Sequence, residues 1–268
     1  MRRLCRFCGV TRAGYYAWRV RPPSARTEQD RRLSQRIVTL FWGHHGRYGS
    51  PRLQRELRTE GWRVSRRRVE RLMRAQGLRA RVARVYRARP GLRRFLHQYP
   101  NRLPAAGPRR TDQVWVGDIT YLPVAGHWWF LAVVLDQYSR RVVAWTLGTH
   151  RDAGLTRRAL NAAVRRRHPG RGLVFHSDRG PEYLAAAFGD RLRALGIRQS
   201  SAWGGPKDNA HMESFFHSLK AELVHGRQFV RARDLRQAIA RYVRYYNYRR
   251  RHSALAYRSP VDYEVRSA

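Results

Sequence analysis

Three carboxylic acids stand out in a chain that is otherwise strongly basic. The 268 residues include 56 Lys and Arg against 18 Asp and Glu, which gives a net charge of +38. Asp118 lies inside an apolar stretch of strand-like composition, and Asp178 follows the short apolar run "LVF". Glu213 lies in a helical segment between the only two lysines of the chain, Lys207 and Lys220. A carboxylate among apolar strand residues costs free energy unless it is paired or binds a metal.

The types and positions of these acids fit a magnesium site. Open sheets place ligands at strand ends such as Asp178, and a rotation of 100° per residue aligns Glu213, His217 and Lys220 along one helix line. Hard oxygen ligands without a Cys or His cluster favour Mg²⁺ or Mn²⁺. Two such ions about 3.5–4 Å apart promote phosphodiester displacement. We therefore expect Asp118, Asp178 and Glu213 to be catalytic ligands of two Mg²⁺ ions, replaceable by Mn²⁺.

Each acid also fits a structural role when it is considered alone. Asp118 could cap a turn, Asp178 could form a local turn with the residue after it, and Glu213 could pair with Lys220. In the catalytic interpretation, Lys220 instead binds a DNA phosphate beside the metals. The carboxylates would hold the cations that act on the polyanion, and the basic surface would hold the polyanion itself.

The basic residues run along the whole chain, which indicates a folded protein lying along DNA or RNA. Ser50 with Pro51 predicts the start of one helix, and Gly61 its end. Ser65 caps a second helix that Gly77 ends. This pair predicts a helix-turn-helix over residues 46–80. The arginines around its second helix, which we expect to contact DNA, are Arg66, Arg67, Arg68 and Arg71.

The N-terminal segment "LCRFCGVTRAGYYAW" repeats this pattern, with a turn at Gly9 and a cap at Thr11. Its Cys5 and Cys8 do not complete a four-ligand zinc site by themselves. His44 and His45 are the adjacent pair that could supply the missing ligands. Two buried apolar thiols are the alternative, in keeping with a reducing cytosol.

The composition predicts four regions. Residues 1–95 form a helical DNA-binding region, 96–110 a linker, 111–225 the catalytic core, and 226–268 a C-terminal helix with a basic tail. In the core, three strands form an antiparallel meander, and alternating helices and strands follow, with "PEYLAAAFGDRLRALG" as one helix. We expect the helix that carries Glu213 to turn Met212, Phe216, Leu219 and Leu223 towards the sheet. The predicted class is α+β to α/β, a mixed five-stranded sheet with flanking helices behind an all-helical region. In the tail, "YNYRRRHSALAYRSP" interleaves aromatic and basic residues, which suits DNA contact or a helix whose tyrosines pack on the core.

The stretches "VWVGDITYLP", "FHSDRGPEY" and "DNAHMESFFHSLKAEL" resemble the catalytic motifs of DDE transposases and retroviral-type integrases. Between Asp178 and Glu213 lie 34 residues, close to the usual interval of that superfamily. The chain is similar to the second-frame transposases of the bacterial insertion sequence three family over nearly its whole length. The loop "GGPKDNA" departs from the family pattern, because Gly205 and Lys207 replace an asparagine and a tyrosine.

The resemblance implies an RNase H-like core with Asp118, Asp178 and Glu213 as metal ligands. It implies strand cleavage by water, then attack of the freed 3′-hydroxyl on another phosphodiester, without a covalent protein–DNA intermediate. The implied partners are double-stranded DNA at the element ends and at the target, further copies of the chain, and an upstream-frame protein or frameshift fusion. Candidate DNA contacts besides Lys220 are Asn209, His217, Asn247, Arg251 and His252.

Other functions remain open at this point. The chain could be a catalytically inactive or host-adopted transposase that regulates genes by binding DNA. A stand-alone RNase H or resolvase-type nuclease would share the acids but not the helices ahead of them, and an RNA-binding protein would share the charge. With no run of 18 apolar residues, we expect no membrane span. The expected location is the bacterial cytoplasm, in association with the nucleoid.

Overall fold

The computed structural model describes residues 1–81, 102–103, 107–201 and 209–267. The chain divides into two compact units, Met1–Arg81 and Val82–Ala268. The predicted linker, residues 96–110, lies largely outside the described residues, so the four-region division stays a prediction. No helix in the described residues combines the length and the hydropathy that a membrane span requires.

Residues 1–81 form five helices: α1 (Arg2–Phe7), α2 (Arg12–Val20), α3 (Ala25–Gly43), α4 (Ser50–Thr59) and α5 (Arg66–Ala75). The predicted caps Thr11 and Ser65 accept hydrogen bonds from Gly14 N (3.0 Å) and Arg68 N (3.2 Å). Helix α4 begins one residue earlier than predicted, since Gly49 is its N-cap and Ser50 is its first residue. The two cysteines are free; Cys5 is buried, whereas Cys8 is exposed, contrary to the expectation of two buried thiols.

The core of this unit comes from apolar residues at helical spacing. Helix α3 buries Leu33, Ile37 and Phe41, which recur every four residues along one face. Helices α4 and α5 both pack on α3 and on each other. The buried residues of this helical pair are Leu53, Leu57, Val69, Leu72 and Met73. Helix α5 therefore turns its apolar side inward and leaves most of its arginines on the outside.

In the second unit, the described residues contain five strands: β1 (Val114–Val124), β2 (His127–Asp136), β3 (Val142–Gly148), β4 (Val174–Ser177) and β5 (Arg198–Ser201). They form one mixed sheet in the order β3-β2-β1-β4-β5. The first three strands are the predicted antiparallel meander, and β4 and β5 add in parallel beside β1. Strand β1 is therefore central, with an antiparallel neighbour on one side and a parallel one on the other.

Helices α6 (Ala153–Arg167), α7 (Pro181–Leu184) and α8 (Ala186–Ala194) lie between the strands in sequence. Trp115, Phe175, Leu160 and Phe188 belong to the core that the sheet shares with these helices. The segment after β4 was predicted as one helix but is two. Ala185 is extended, and the carbonyl of Tyr183 accepts a hydrogen bond from the Gln199 side chain (2.8 Å), so the helical ladder is broken there.

The chain ends in α9 (Ala210–Leu219), a short π-helical segment (Lys220–Val224), α10 (Ala232–Tyr248), a 3₁₀ turn (Ser253–Leu255) and α11 (Pro260–Ser267). Helix α9 packs against β1, and α10 packs against β3. The predicted inward stripe of Met212, Phe216, Leu219 and Leu223 is buried. Arg250 forms a buried ion pair with Glu222 (2.7 Å), which joins the end of α10 to the π-helical segment.

Gly117, the residue before Asp118, allows β1 and β4 to lie in close contact. A methyl group at this position would overlap the ring of Phe175 in β4, and it would lie 3.4 Å from the ring of Tyr183. Phe175 is fully buried and has no room to move aside. The absence of a side chain at residue 117 thus permits the strand pair that carries Asp118 and Asp178.

We expect Gly117→Ala to lower the free energy of unfolding by about 1–3 kcal/mol, because overpacking displaces the Phe175 ring. Urea unfolding measures this change. Gly170→Ala is the matched control, since a methyl group there meets no atom within 4 Å, and it should change stability by less than about 0.5 kcal/mol. Equal stability of the two variants would contradict the steric role of Gly117.

Candidate active site and nucleic-acid interface

Asp118 and Asp178 occupy adjacent positions on two parallel strands. The last registered pair of β1 and β4 is Gly117 with Ser177. Asp118 and Asp178 are the next residue on each strand, and neighbouring strands are about 4.8 Å apart. Both side chains are half-buried. The fold therefore brings two of the three predicted metal ligands together.

Backbone groups fix the orientation of both carboxylates. Asp118 Oδ1 accepts a hydrogen bond from the N–H of Ile119 (2.7 Å), and Asp178 Oδ1 accepts one from the N–H of Gly180 (3.1 Å). Gly180 also leaves room for acids around it, because a Cβ there would lie 2.5 Å from Glu182 Oε1 and 3.1 Å from Asp178 Oδ1. The turn after β4 thus holds negative oxygen atoms close together.

The electrostatics of this pair favour a bound cation. Burial, and after it the negative charge of Asp178, raises the pKa of Asp118 to about 7, against the lowering effect of the Ile119 hydrogen bond. Burial also raises the pKa of Asp178. Two partly desolvated like charges at this separation destabilise each other. A divalent cation with oxygen ligands would relieve that repulsion, so this carboxylate pair fits the donor chemistry of Mg²⁺ or Mn²⁺.

An ion pair that the sequence did not reveal lies beside these acids. Glu182 of α7 is buried, with its side chain 1% exposed, and it accepts two hydrogen bonds from Arg151 through Oε1 (3.0 and 2.8 Å). The Arg151 charge lowers the pKa of Asp118 and of Asp178, and the Glu182 charge raises both. Glu182 could have been noticed as an acid at a helix start. Its partner, 31 residues earlier, carries no local signal.

Glu213 lies in the first turn of α9 and is exposed. The described residues contain no group of three or more His, Cys, Asp or Glu side chains that could hold a metal. Asp118 and Asp178 are therefore adjacent, and in the described residues Glu213 does not form a three-ligand group with them. Lys220 lies two turns further along the same helix line, close enough to Asp118 for their charges to interact. The Lys220 end of this line therefore lies near the acids.

Lys220, the predicted phosphate contact, lies against an aromatic ring. Its ammonium group is 4.5 Å from the ring centroid of Tyr121 in β1. Burial lowers the pKa of Lys220, while the charge of Asp118 raises it. His217 is half-buried on the same helix. Asn209 is the N-cap residue of α9; Gly205 and Lys207, in the loop that departs from the family pattern, lie outside the described residues.

The arginines of α5 fall into two groups. Arg66 and Arg67 are exposed at the start of the helix. Arg68 and Arg71 instead bind Asp30 of α3, at 2.7 and 2.5 Å. These two ion pairs hold α5 against α3, and they lower the pKa of Asp30. Arg68 and Arg71 thus have a structural partner that the sequence did not reveal, whereas the exposed Arg66 and Arg67 remain candidate DNA contacts.

The C-terminal segment is largely structural. Asn247 is buried, and its amide exchanges hydrogen bonds with the backbone N–H and C=O of Val142, both 2.9 Å. The structure therefore does not support Asn247 as a DNA contact, because its polar atoms anchor α10 to β3. Arg251 donates to the carbonyl of Tyr257 (3.1 Å), and His252 packs edge-on against Tyr246. Arg251 and His252 are half-buried and remain candidate contacts.

Comparison with family models finds three matches. An HTH-like domain model matches residues 28–86, and two integrase core domain models match residues 108–202 and 196–260. The HTH-like match spans α4 and α5, and the integrase matches together span the sheet and α6–α10. These matches agree with the two compact units of the structure.

Comparison with curated proteins finds relatives of nearly the same length. Transposase InsF for insertion sequence IS3A of Escherichia coli (strain K12) is 38% identical over 270 residues, 97% of this chain and 92% of that protein. The transposase for insertion sequence element IS904 of Lactococcus lactis subsp. lactis (strain IL1403) is 35% identical over 250 residues, 91% of this chain and 98% of that protein. Among solved structures, a chain of the simian T-cell lymphotropic virus intasome, in complex with a PP2A regulatory subunit, matches 85% of this chain and 74% of its own length, with a TM-score of 0.49 and 15% identity.

The raised pKa of Asp118 predicts a pH-dependent cost in stability. The folded protein keeps this proton up to about pH 7, whereas the unfolded chain loses it near pH 4. Because the folded state binds more protons between these values, the free energy of unfolding falls as the pH rises from about 4 to 7. In metal-free buffer we expect Asp118→Asn to be more stable than wild type by on the order of 3 kcal/mol at pH 8.

Urea unfolding at several pH values, with a chelator present, measures this difference, which should disappear towards pH 4. Asp190→Asn is the matched control, since Asp190 is an exposed acid paired with Arg193, and it should show no such gain. A gain for Asp118→Asn that is equally large at pH 4 and pH 8 would show that packing, rather than charge, is the cause.

Proposed function

The chain belongs to the IS3-type transposases with an integrase core, and from this premise we propose that it cuts DNA at the ends of its element and joins them to target DNA. The family acts in DNA transposition. The single observation that supports the proposed chemistry most strongly is the adjacent pair Asp118 and Asp178 with the pKa of Asp118 raised to about 7. Such a pair is expected where divalent cations act on phosphodiesters.

In the proposed reaction, water attacks a phosphodiester at the element end and releases a strand with a 3′-hydroxyl. That hydroxyl then attacks a target phosphodiester, so one P–O bond forms as another breaks, and the protein forms no covalent bond to DNA. We propose Asp118, Asp178 and Glu213 as the ligands of two Mg²⁺ ions, which Mn²⁺ can replace. Bound divalent ions would activate the attacking oxygen and neutralise charge on the leaving oxygen.

The other residues of the site bind, orient and balance charge. The N–H groups of Ile119 and Gly180 hold the two aspartates in one orientation. Arg151 stays bound to Glu182, which keeps a buried fourth acid from adding its full charge to the pair. We propose that Lys220, which lies beside Asp118 and on the ring of Tyr121, binds the phosphate next to the reacting one.

We propose that the helix-turn-helix unit binds the terminal repeats of the element. A net charge of +38 gives the chain a strong sequence-independent attraction to DNA, and the exposed Arg66 and Arg67 at the start of α5 suit the recognition role of such a helix. Further copies of the chain would assemble on the two ends, with an upstream-frame protein or frameshift fusion as partner. The reaction would take place in the bacterial cytoplasm, on nucleoid DNA.

Strand transfer in vitro tests the proposed chemistry. Duplexes with the terminal repeats from the DNA that flanks the gene are incubated with the full chain and Mg²⁺ or Mn²⁺. We expect metal-dependent nicking and joining by wild type, because the acids hold the ions that act on the phosphodiester. Glu213→Gln should keep DNA affinity and lose at least about 100-fold in cleavage rate, since even outer-shell changes at metal sites cost 10–100-fold.

Glu222→Gln is not a suitable control because Glu222 is a buried partner of Arg250. Asp190→Gln changes an exposed acid of the same unit and should cleave like wild type. Cleavage by Glu213→Gln at the wild-type rate would contradict its role as a ligand. Binding without cleavage by wild type, even with the fused upstream frame added, would favour a DNA-binding regulator.

The two groups of α5 arginines should respond differently to substitution. Arg67→Ala should reduce the slope of log affinity against log salt concentration by about 1, because one phosphate contact is lost. Arg68→Ala should leave the slope unchanged and lower the free energy of unfolding by about 2 kcal/mol, because its hydrogen bond to Asp30 is lost.

Fluorescence anisotropy of a labelled terminal-repeat duplex, titrated at several salt concentrations, gives the slopes, and urea unfolding gives the stabilities. If Arg68→Ala reduced the slope and Arg67→Ala did not, the assignment of the two residues would be reversed.

A further inference from the structure

Two large aromatic side chains are exposed next to the candidate active site. Tyr121 of β1 and Trp128 of β2 are 56% and 57% exposed. Their ring centroids are 5.0 Å apart, and the rings meet edge to face at 85°. Neither residue has a role in the chemistry proposed above. Rings of this size usually lie in the core or in an interface.

The hairpin between β1 and β2 holds both rings in place. Val124 and His127 form its closing pair, and the two residues between them, Ala125 and Gly126, both have positive φ (48° and 81°). Two-residue turns of this kind fix the strand register. Trp128 lies opposite Pro123, and Pro123 is on the same exposed face of β1 as Tyr121. The two aromatic residues are therefore diagonal neighbours on a rigid surface.

The charge next to these rings identifies the type of partner. The Lys220 ammonium group lies 4.5 Å from the Tyr121 ring centroid. An apolar protein partner that covered the rings would also remove water from the ammonium group of this lysine, which is costly. A nucleotide matches both features, since its base offers a flat face for stacking and its phosphate offers an anion.

We propose that Trp128 and Tyr121 form a stacking site for an unpaired base of the DNA strand whose backbone Lys220 binds. The inference rests on the proposed function, because it places the DNA end at Asp118 and Asp178. Tyr121 and Asp118 leave β1 on opposite faces, and Lys220 relates them, because it lies on the Tyr121 ring and its charge interacts with that of Asp118. The captured base belongs within a few nucleotides of the reacting phosphate, and its capture keeps the strand end out of the duplex.

A binding cycle between protein and DNA tests this site. The probe is a terminal-repeat duplex with unpaired nucleotides at the reacting end, and its partner has abasic residues at those positions. Affinity is measured by anisotropy with the full chain, without divalent metal. Trp128→Ala should weaken binding of the base-containing probe about 10-fold and that of the abasic probe less than about 2-fold. Trp128→Phe should restore most of the affinity, since it keeps a stacking face.

A spectroscopic measurement reports stacking directly. With 2-aminopurine at the unpaired positions, binding to wild type should quench its fluorescence, and Trp128→Ala should remove most of that quenching. Tyr248→Ala is the matched control, because Tyr248 is a 54% exposed aromatic residue on α10. It should preserve both the quenching and the difference between the two probes.

Equal losses by Trp128→Ala on the base-containing and abasic probes, with unchanged quenching, would overturn the inference. Since the assay needs no cleavage, this result is distinct from a failure of the proposed function. If wild type cleaves with Mg²⁺ and Trp128→Ala weakens binding of both probes equally, only the stacking site is wrong. If Trp128→Ala weakens binding of the base-containing probe only, and wild type does not cleave, the stacking site stands and the catalytic proposal fails.

Discussion

The repulsion between two carboxylates at adjacent strand ends is the constraint on which the rest of the catalytic unit depends. Asp118 and Asp178 follow the last registered pair of β1 and β4, and burial with the neighbouring charge raises the pKa of Asp118 to about 7. Such a pair lowers the free energy of unfolding, so stability alone does not explain its presence. Binding of a cation by the pair would explain it. In a chain of net charge +38, the surface attracts a polyanion, and in the proposed function the acids would supply a local site for the cations that act on it.

Several features of the second unit hold this pair in place. Gly117 lets the Phe175 ring lie against β1, which brings β4 next to β1. Gly180 leaves room for the acids in the turn that follows β4 and donates a hydrogen bond to Asp178. At the other edge of the sheet, Asn247 anchors α10 through the backbone of Val142. Helix α9 packs on β1 and brings Lys220 to the same end of the sheet.

The sequence predicted the parts of this architecture that are encoded locally. Caps such as Ser65, the alternating strands of the meander and the buried stripe of α9 follow from residue types and spacing. Asp118 and Asp178 were identifiable because a carboxylate in or after an apolar strand needs a compensating partner. The resemblance of three motifs to those of the insertion sequence transposases indicated the family, which the comparisons confirm.

Long-range side-chain pairing could not be predicted in this way. Arg68 and Arg71 were indistinguishable from their neighbours until α3 placed Asp30 beside them. Asn247 lies in a run of tyrosines and arginines that suggested DNA contact, and only the position of α10 on β3 shows its hydrogen bonds to Val142. The ion pair of Arg151 with Glu182 joins residues 31 positions apart. The predicted helix breaks at Ala185, beside a hydrogen bond that Gln199 of a later strand donates to the carbonyl of Tyr183.

The most direct test of whether Asp118 and Asp178 bind a divalent cation is to locate the bound ion. Crystals of the full chain grown with Mn²⁺ would be measured at the manganese absorption edge, where anomalous scattering identifies the metal. If the two aspartates are metal ligands, an anomalous peak will lie in contact with carboxylate oxygens of both Asp118 and Asp178. At saturating Mn²⁺, a map without a peak at this pair, or with peaks only elsewhere on the protein, would contradict it.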